Sequence, residues 1–452
     1  MNLWGGRFRE PPADLLWTYT VDVADRRLLR VDVEGSLAHV GMLREVGLLN
    51  DDEHTAVERG LRRILAEAAE GTFNFLDSDE DVHSAVERRL VELIGESGEK
   101  LHTGRSRNDQ MALDLTLYLR QAASDRGDDL ARFALLMAGL AEAQAATVIP
   151  TYTHLQQAQV TSLGHHLLIY AWLALRDRSR FQSLRERLAA SPLGAGASAG
   201  SGLPLDPASV ARQLGFDRAF DNSLEAVGSR DLVAEFIFGA TQAMVNLSRL
   251  AEEMILWASN EFGWVTYGDA FTTGSSALPH KKNPDIAELT RGKSAGAIGD
   301  LTTILVLQKG LPFAYNRDLQ EDKPPLFRAD DALAATLRAL GAMLASAEFH
   351  PPAPSSWVTA LDRAEALVTR GVPFRQAHRA VGALVSSLTA SGRDLAGATL
   401  TDLTSADPRF EEADLGRLDP FASLHRRRTP GSGTPESVHE QVKEIRRLLE
   451  AG

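Results

Sequence analysis

The chain has 452 residues, 61 acidic against 48 basic side chains, a formal charge of −13, and 44% hydrophobic residues. That is ample apolar material for several cores and too acidic for a nonspecific nucleic-acid surface, while local cationic pockets for small anions stay open. The absence of cysteine excludes disulfides, thiolate zinc sites and cysteine nucleophiles and fits a reducing, cytoplasmic compartment; the opening "MNLWGGRFREPPADLL" has no signal pattern, and no apolar run reaches the length of a membrane span.

Residues 1–105 carry short helical patterns and a polar break at "LDSDEDVHS", and are expected to form a helical cap. From 106 to 350 five long helical patterns follow one another: Asn108 toward Ala146, Val160 to Ala190, a third ending near Ala258, Pro284 to Gln308, and Arg328 to Phe349. In the third, Ile237, Ala240, Met244, Leu247, Ala251, Met254 and Ala258 alternate steps of three and four, the seam of a helix that needs partner helices. No convincing alternating strand run separates these patterns, so the expected class is all-α, with a central bundle. Apolar residues on more than one helix face, as in "ILVL" at Ile304 to Leu307, predict that subunits share that bundle. Past "HPPAPSS", residues 351–452 read as a second small helical unit with turns at "ADPRF" and "TPGSGTP".

Four polar clusters lie at the ends of the long helices: "LHTGRSRNDQ", "TYTHLQQAQ", "GSSALPHKKNPD" and "LPFAYNRDLQEDKPPLF". Each has a plain explanation alone: a Ser106 or Asn108 cap with solvated arginines, a structural His154, a hinged surface connection, a surface loop. Their joint placement where side chains of several helices and subunits can converge favours a site. The third cluster lacks the G-x-S-x-G elbow of a serine hydrolase, and the nearby "RGKS" fails as a phosphate loop because Ala287 stands where the first glycine must be. The Gly/Ala/Ser-rich "SPLGAGASAGSGLP" lacks dinucleotide spacing and a preceding strand, and reads as a tight or ligand-facing turn.

These motifs resemble the argininosuccinate lyases of the aspartase/fumarase superfamily. The signature G-S-S-x-M-P-x-K-x-N is met at Gly274, Ser275, Ser276, Pro279, Lys281 and Asn283, with Leu278 in place of methionine. "LWGGRF", "GRSRNDQ", "THLQQAQ", "SPLGAGA", "AYNRDLQEDK" and a late G-x-G-T carry the likeness from Leu3 to Thr434. The resemblance implies a three-domain fold, a homotetramer with active sites shared between subunits, and reversible anti-elimination of argininosuccinate to arginine and fumarate without metal or organic cofactor. It implies Ser275 and His154 as the proton-transfer pair, which of them is base being left open, with Glu288 raising the basicity of His154 and Lys281 acting on developing charge. It implies substrate contacts at Ser106, Arg107, Asn108, Thr153, Asn283, Tyr315, Gln320 and Lys323. Elimination next to a carboxylate creates an aci-carboxylate dianion, which needs such donors in a dry pocket.

Two positions depart from the family pattern. Where it places a substrate-contacting serine before "DRRL", this chain offers Asp22 or Val21, and His280 replaces the usual glutamine of the signature loop. Asp22 still suits a cationic group, so a lyase releasing fumarate from another N-substituted aspartate is the alternative enzyme. A catalytically retired structural homologue is the alternative of a different class, and the retained Ser275, His154, Lys281 and Glu288 weigh against it.

Overall fold

The computed structural model describes residues 13–21 and 23–450; the LWGGRF motif and Asp22 lie outside them. Helices of ten residues or more are labelled here. The first three are α1 (Leu29–Glu45), α2 (Asp51–Glu70) and α3 (Val82–Ile94). Local chemistry sets their ends: Asn50 and Glu53 form a reciprocal capping box that starts α2, Gly71 at φ 67° stops it, and Asp81 with Ser84 repeats the box at α3. The long helices are α4 (Arg107–Ala143), α5 (Leu163–Arg187), α6 (Asp231–Ala258), α7 (Asp285–Gln308) and α8 (Lys323–Ala345). After them come α9 (Ala360–Thr369), α10 (Phe374–Ala390) and α11 (Pro435–Glu450).

The all-α expectation holds, with two differences at the ends of the long helices. Between α4 and α5 stands an antiparallel hairpin of β1 (Val148–Thr153) and β2 (Gln156–Ser162), so α5 starts at Leu163 rather than Val160. Its two-residue turn is His154-Leu155, both at φ 55°, the geometry of a type I′ turn normally written with asparagine and glycine. That is why no turn signal was legible. Helix α8 starts at Lys323, five residues ahead of the expected Arg328, because Pro324 and Pro325 occupy its first turn, where their missing N–H groups cost nothing.

The chain divides into two compact units, one of Met1–Gly127, Ser179–Gln242 and Lys293–Ala334, the other of Asp128–Arg178, Ala243–Gly292 and Ala335–Gly452. The first unit's core joins Val33, Val40 and Leu43 of α1 to Val57, Leu61 and Ile64 of α2, Val86 and Leu90 of α3, and Leu113 of α4. Gly35 permits the α1–α4 approach, since a Cβ there would meet Leu113 Cδ2 at 2.7 Å. In the second unit Leu367 of α9 packs on Val381, Leu384 and Leu388 of α10, and the hairpin's Val148 and Val160 pack on Val358 and Leu424. On α6 the seam from Ile237 to Met254 is buried throughout.

Candidate active site

In the first unit a cavity of about 150 Å³ is lined by Arg107, Asn108, Tyr315, Gln320 and Lys323, drawn from two of the four polar clusters. The start of α4 positions the first two. Ser106 Oγ accepts the Asn108 N–H at 3.3 Å, and the Asp109 carboxylate accepts the Ser106 N–H at 2.9 Å, a reciprocal N-terminal cap. Ser106 itself is half-buried beside the cavity's Arg107. The other Asp109 oxygen accepts the Gly194 and Gly196 N–H groups at 3.0 and 2.8 Å, and Asn108 Nδ2 donates to the Ala197 carbonyl at 2.8 Å. The Gly/Ala/Ser-rich turn is thus strapped to the cap, with Gly194 and Gly196 at φ 106° and 63°, where a side chain would be strained.

The cavity also has an acidic side that sequence reasoning missed: Asp25, Glu80 and Asp81, with His83 and Arg317. Arg107 donates to Glu80 at 2.9 Å and lies 3.1 Å from Asp81. Burial works to lower the Arg107 pKa, and these two carboxylates outweigh it. Lys323 is buried and paired at 3.1 Å with Asp322, which also receives Arg230 at 2.5 Å, so the ammonium is held in place by a wholly buried carboxylate. Gln320 Nε2 donates to the Thr20 carbonyl at 3.1 Å. Burial raises the Tyr315 pKa, keeping its hydroxyl a donor, and pushes the Asp25 carboxyl up to about 6. In the sequence Glu80, Asp81 and His83 stand only in a polar break, and Asp25, ahead of α1, is brought to them by accepting the Val82 N–H at 3.2 Å.

The second unit carries the remaining candidates. His154 and Thr153 stand exposed at the hairpin tip, which is braced by Tyr152 against Phe262 and Trp264. A positive φ at two non-glycine residues in succession is a local strain that the surrounding sheet pairing must hold. Ser275 lies on a loop whose neck is closed by Thr273 and Asn283, with Thr273 N–H to Asn283 O at 3.2 Å and Asn283 N–H to Thr273 O at 2.8 Å. Within it Ser275 Oγ accepts the N–H groups of Ala277 and Leu278 at 3.3 and 3.1 Å. Two amide dipoles aimed at one hydroxyl oxygen favour its ionised form. Lys281 is exposed on this loop, Lys282 is ion-paired with Asp269, and Glu288 is exposed in the first turn of α7. His280 is exposed too. Among the described residues of the single chain, the structure places no hydrogen bond between His154 and Glu288.

A family model described as "Lyase" matches residues 6–299, and one described as "Argininosuccinate lyase C-terminal" matches 357–425. The chain is 47% identical to an argininosuccinate lyase of Frankia casuarinae, over 100% of this chain and 98% of the relative. It is 44% identical to one of Syntrophus aciditrophicus, over 98% and 95%. Among solved structures, EDDS lyase in complex with formate superposes with a TM-score of 0.84 at 28% identity, covering 96% of this chain and 88% of that one. Matched by the lyase model over more than half its length and by argininosuccinate lyases at 44–47% identity over nearly all of it, the chain belongs to the argininosuccinate lyase family.

Proposed function

We propose that this protein catalyses the reversible elimination of argininosuccinate to L-arginine and fumarate, a step of arginine synthesis. The carrying observation is the full-length likeness to argininosuccinate lyases together with the matching C-terminal region; it weighs against both a lyase for another N-substituted aspartate and a retired scaffold. A cavity that mixes Arg107 and Lys323 with Asp25, Glu80 and Asp81 suits a substrate bearing carboxylates, an ammonium and a guanidinium.

In this reading Ser275, with its oxygen held by two N–H groups, takes the proton from the carbon next to a carboxylate, and Lys281, Asn283 and loop N–H groups stabilise the aci-carboxylate. His154 protonates the departing guanidino nitrogen, Glu288 supports its basicity, and Thr153 positions the substrate beside it. Ser106, Arg107 and Asn108 hold carboxylates, and Tyr315, Gln320 and Lys323 hold the arginine portion. All of these roles are filled by side chains and backbone. We further propose a cytoplasmic homotetramer whose active sites draw residues from more than one subunit. Among the described residues no helix is long and apolar enough to cross a membrane.

The test is purified protein with argininosuccinate, fumarate followed by absorbance and arginine by mass spectrometry. No turnover, alongside turnover of another N-succinyl amine, would overturn the substrate. Mixing two inactive variants, one in the cavity and one in the signature loop, should restore partial activity on reassembly; failure despite verified subunit exchange counts against shared sites.

A further inference from the structure

Beneath the cavity lies a buried cluster that the elimination chemistry does not use. Asp32 of α1, His83 of α3 and Asp114 of α4 present side-chain atoms within 4.8 Å of one another, and all are buried. His83 Nδ1–H donates to Asp32 Oδ1 at 2.8 Å, and Gln110 Nε2 donates to the same oxygen at 2.6 Å. Among the described residues Asp32 Oδ2, both Asp114 oxygens and His83 Nε2 make no hydrogen bond, and Asp114 Oδ2 lies 3.8 Å from His83 Nδ1. Two ionised carboxylates this close, sealed from water, repel strongly, and each unmatched oxygen carries a desolvation cost. A single proton between them removes the repulsion and satisfies an oxygen on each side.

We propose that Asp114 is the neutral acid in the folded protein and donates a hydrogen bond to Asp32, and that this acid–carboxylate pair concentrates its one charge on Asp32 to hold His83, which lines the cavity, as an imidazolium for a substrate carboxylate bound there. Asp114 is then a positioning residue that acts through Asp32 and His83. The inference rests on the cavity being the substrate site. A cation in place of the proton fits less well, because the two N–H donors on Asp32 Oδ1 already occupy the oxygen nearest the imidazole.

The groups facing the cluster agree with this charge distribution. Burial pushes the Asp114 carboxyl well up, and the Asp32 charge adds to that, with Arg105 opposing. Burial works to raise Asp32 as well, but His83, Arg105 and Gln110 together bring it below the usual range. Burial works to lower His83, and Asp32, Asp81 and Asp25 reverse it. Arg105, half-buried, faces Asp32, Asp109, Asp114 and Glu87, and Lys323 faces Asp25 from α8.

The experiment is infrared spectroscopy of the purified, ligand-free enzyme labelled with carboxyl-¹³C aspartate, at pH values above the Asp25 titration. A protonated-acid C=O band should be present, survive in Asp25→Asn and vanish in Asp114→Asn. The Asp114→Asn protein should fold with unchanged thermal midpoint at neutral pH, because the amide supplies the N–H that the acid supplied as O–H. Asp32→Asn should raise KM for argininosuccinate roughly tenfold to a hundredfold, the worth of a hydrogen bond to a charged group, with a smaller fall in kcat. Absence of the band in the wild type overturns the proposal, as does failure of Asp114→Asn to fold, since loss of a paired charge would then be the injury. So does a divalent cation retained stoichiometrically by the wild type and lost in Asp114→Asn. The band is read without turnover, so a wrong substrate leaves this test standing, whereas a band with no effect of Asp32→Asn on KM would detach the cluster from the substrate site.

Discussion

Ser275 and His154, the two residues proposed to move protons, occupy very different surroundings. The serine oxygen already receives two backbone N–H groups, whereas the imidazole is exposed on a strained turn. Ser275→Ala is therefore expected to lower kcat by about two to four orders of magnitude while substrate binding, measured calorimetrically, persists. His154→Asn should have a comparable effect, and asparagine is the informative replacement because it tolerates positive φ. Glu288→Gln should cost less than either; near-normal kcat in Ser275→Ala would make the loop a lid alone. A second expectation concerns Asp25. Its folded carboxyl, pushed up to about 6 by burial, holds a proton that the unfolded chain releases near pH 4. The associated stability is therefore present below about pH 4 and lost as pH rises toward 6, an effect on the order of 3 kcal/mol. Urea unfolding at stepped pH should show Asp25→Asn without that decline, and equal slopes in the two proteins would refute it. The signature-loop residues were legible as a motif because they are contiguous. The acidic side of the cavity was not, because Glu80 and Asp81 read as part of a polar break and Asp25 as one charge among many.

Helices were legible as elements from their periodicity, and the α6 seam lies buried as its spacing requires. The hairpin was not, since "TYTHLQQAQ" reads as a polar cluster between two helices and His154-Leu155 carries neither glycine nor asparagine. Tertiary context pins the turn: β1 and β2 are paired from Val148↔Ser162 to Thr153↔Gln156, with an irregularity between Pro150 and Tyr152. Thr151 Oγ1 fills that irregularity by accepting the Gln159 N–H at 3.0 Å. Leu155 sits exposed at φ 55°, so its side chain gains no burial in return for the strain. Leu155→Gly is accordingly expected to stabilise the protein by about 0.5–1 kcal/mol in chemical denaturation, relieving a left-handed residue. A loss of stability instead would mean the leucine has packing that the single chain does not supply. Asp109 is the corresponding device on α4, one carboxylate serving both a helix cap and two glycine amides of the neighbouring turn.

At the level of the whole molecule, apolar surface tells two kinds of helix position apart. Met244 on α6 is buried within one chain, whereas Leu289, Ile298, Leu305 and Val306 of α7 remain exposed on a bundle helix. Met244→Asp should therefore damage the fold of the subunit itself, because a lone buried carboxylate costs several kcal/mol. Leu305→Lys should leave the subunit's helicity intact and shift the sedimentation profile from tetramer to smaller species. Tetramers from Leu305→Lys would show that this face is not at the interface. The sequence made the excess of apolar faces visible, but not which faces a single chain covers, because that depends on contacts between elements. The closed neck of the Ser275 loop has a consequence for the intact enzyme's fate under proteolysis. Trypsin should find the exposed Lys281 and Lys282, and the cut ends stay tethered through the Thr273–Asn283 pairing and the packed helices on either side. The nicked protein should run as two fragments on a denaturing gel yet elute at its native size, and added fumarate should slow the cut.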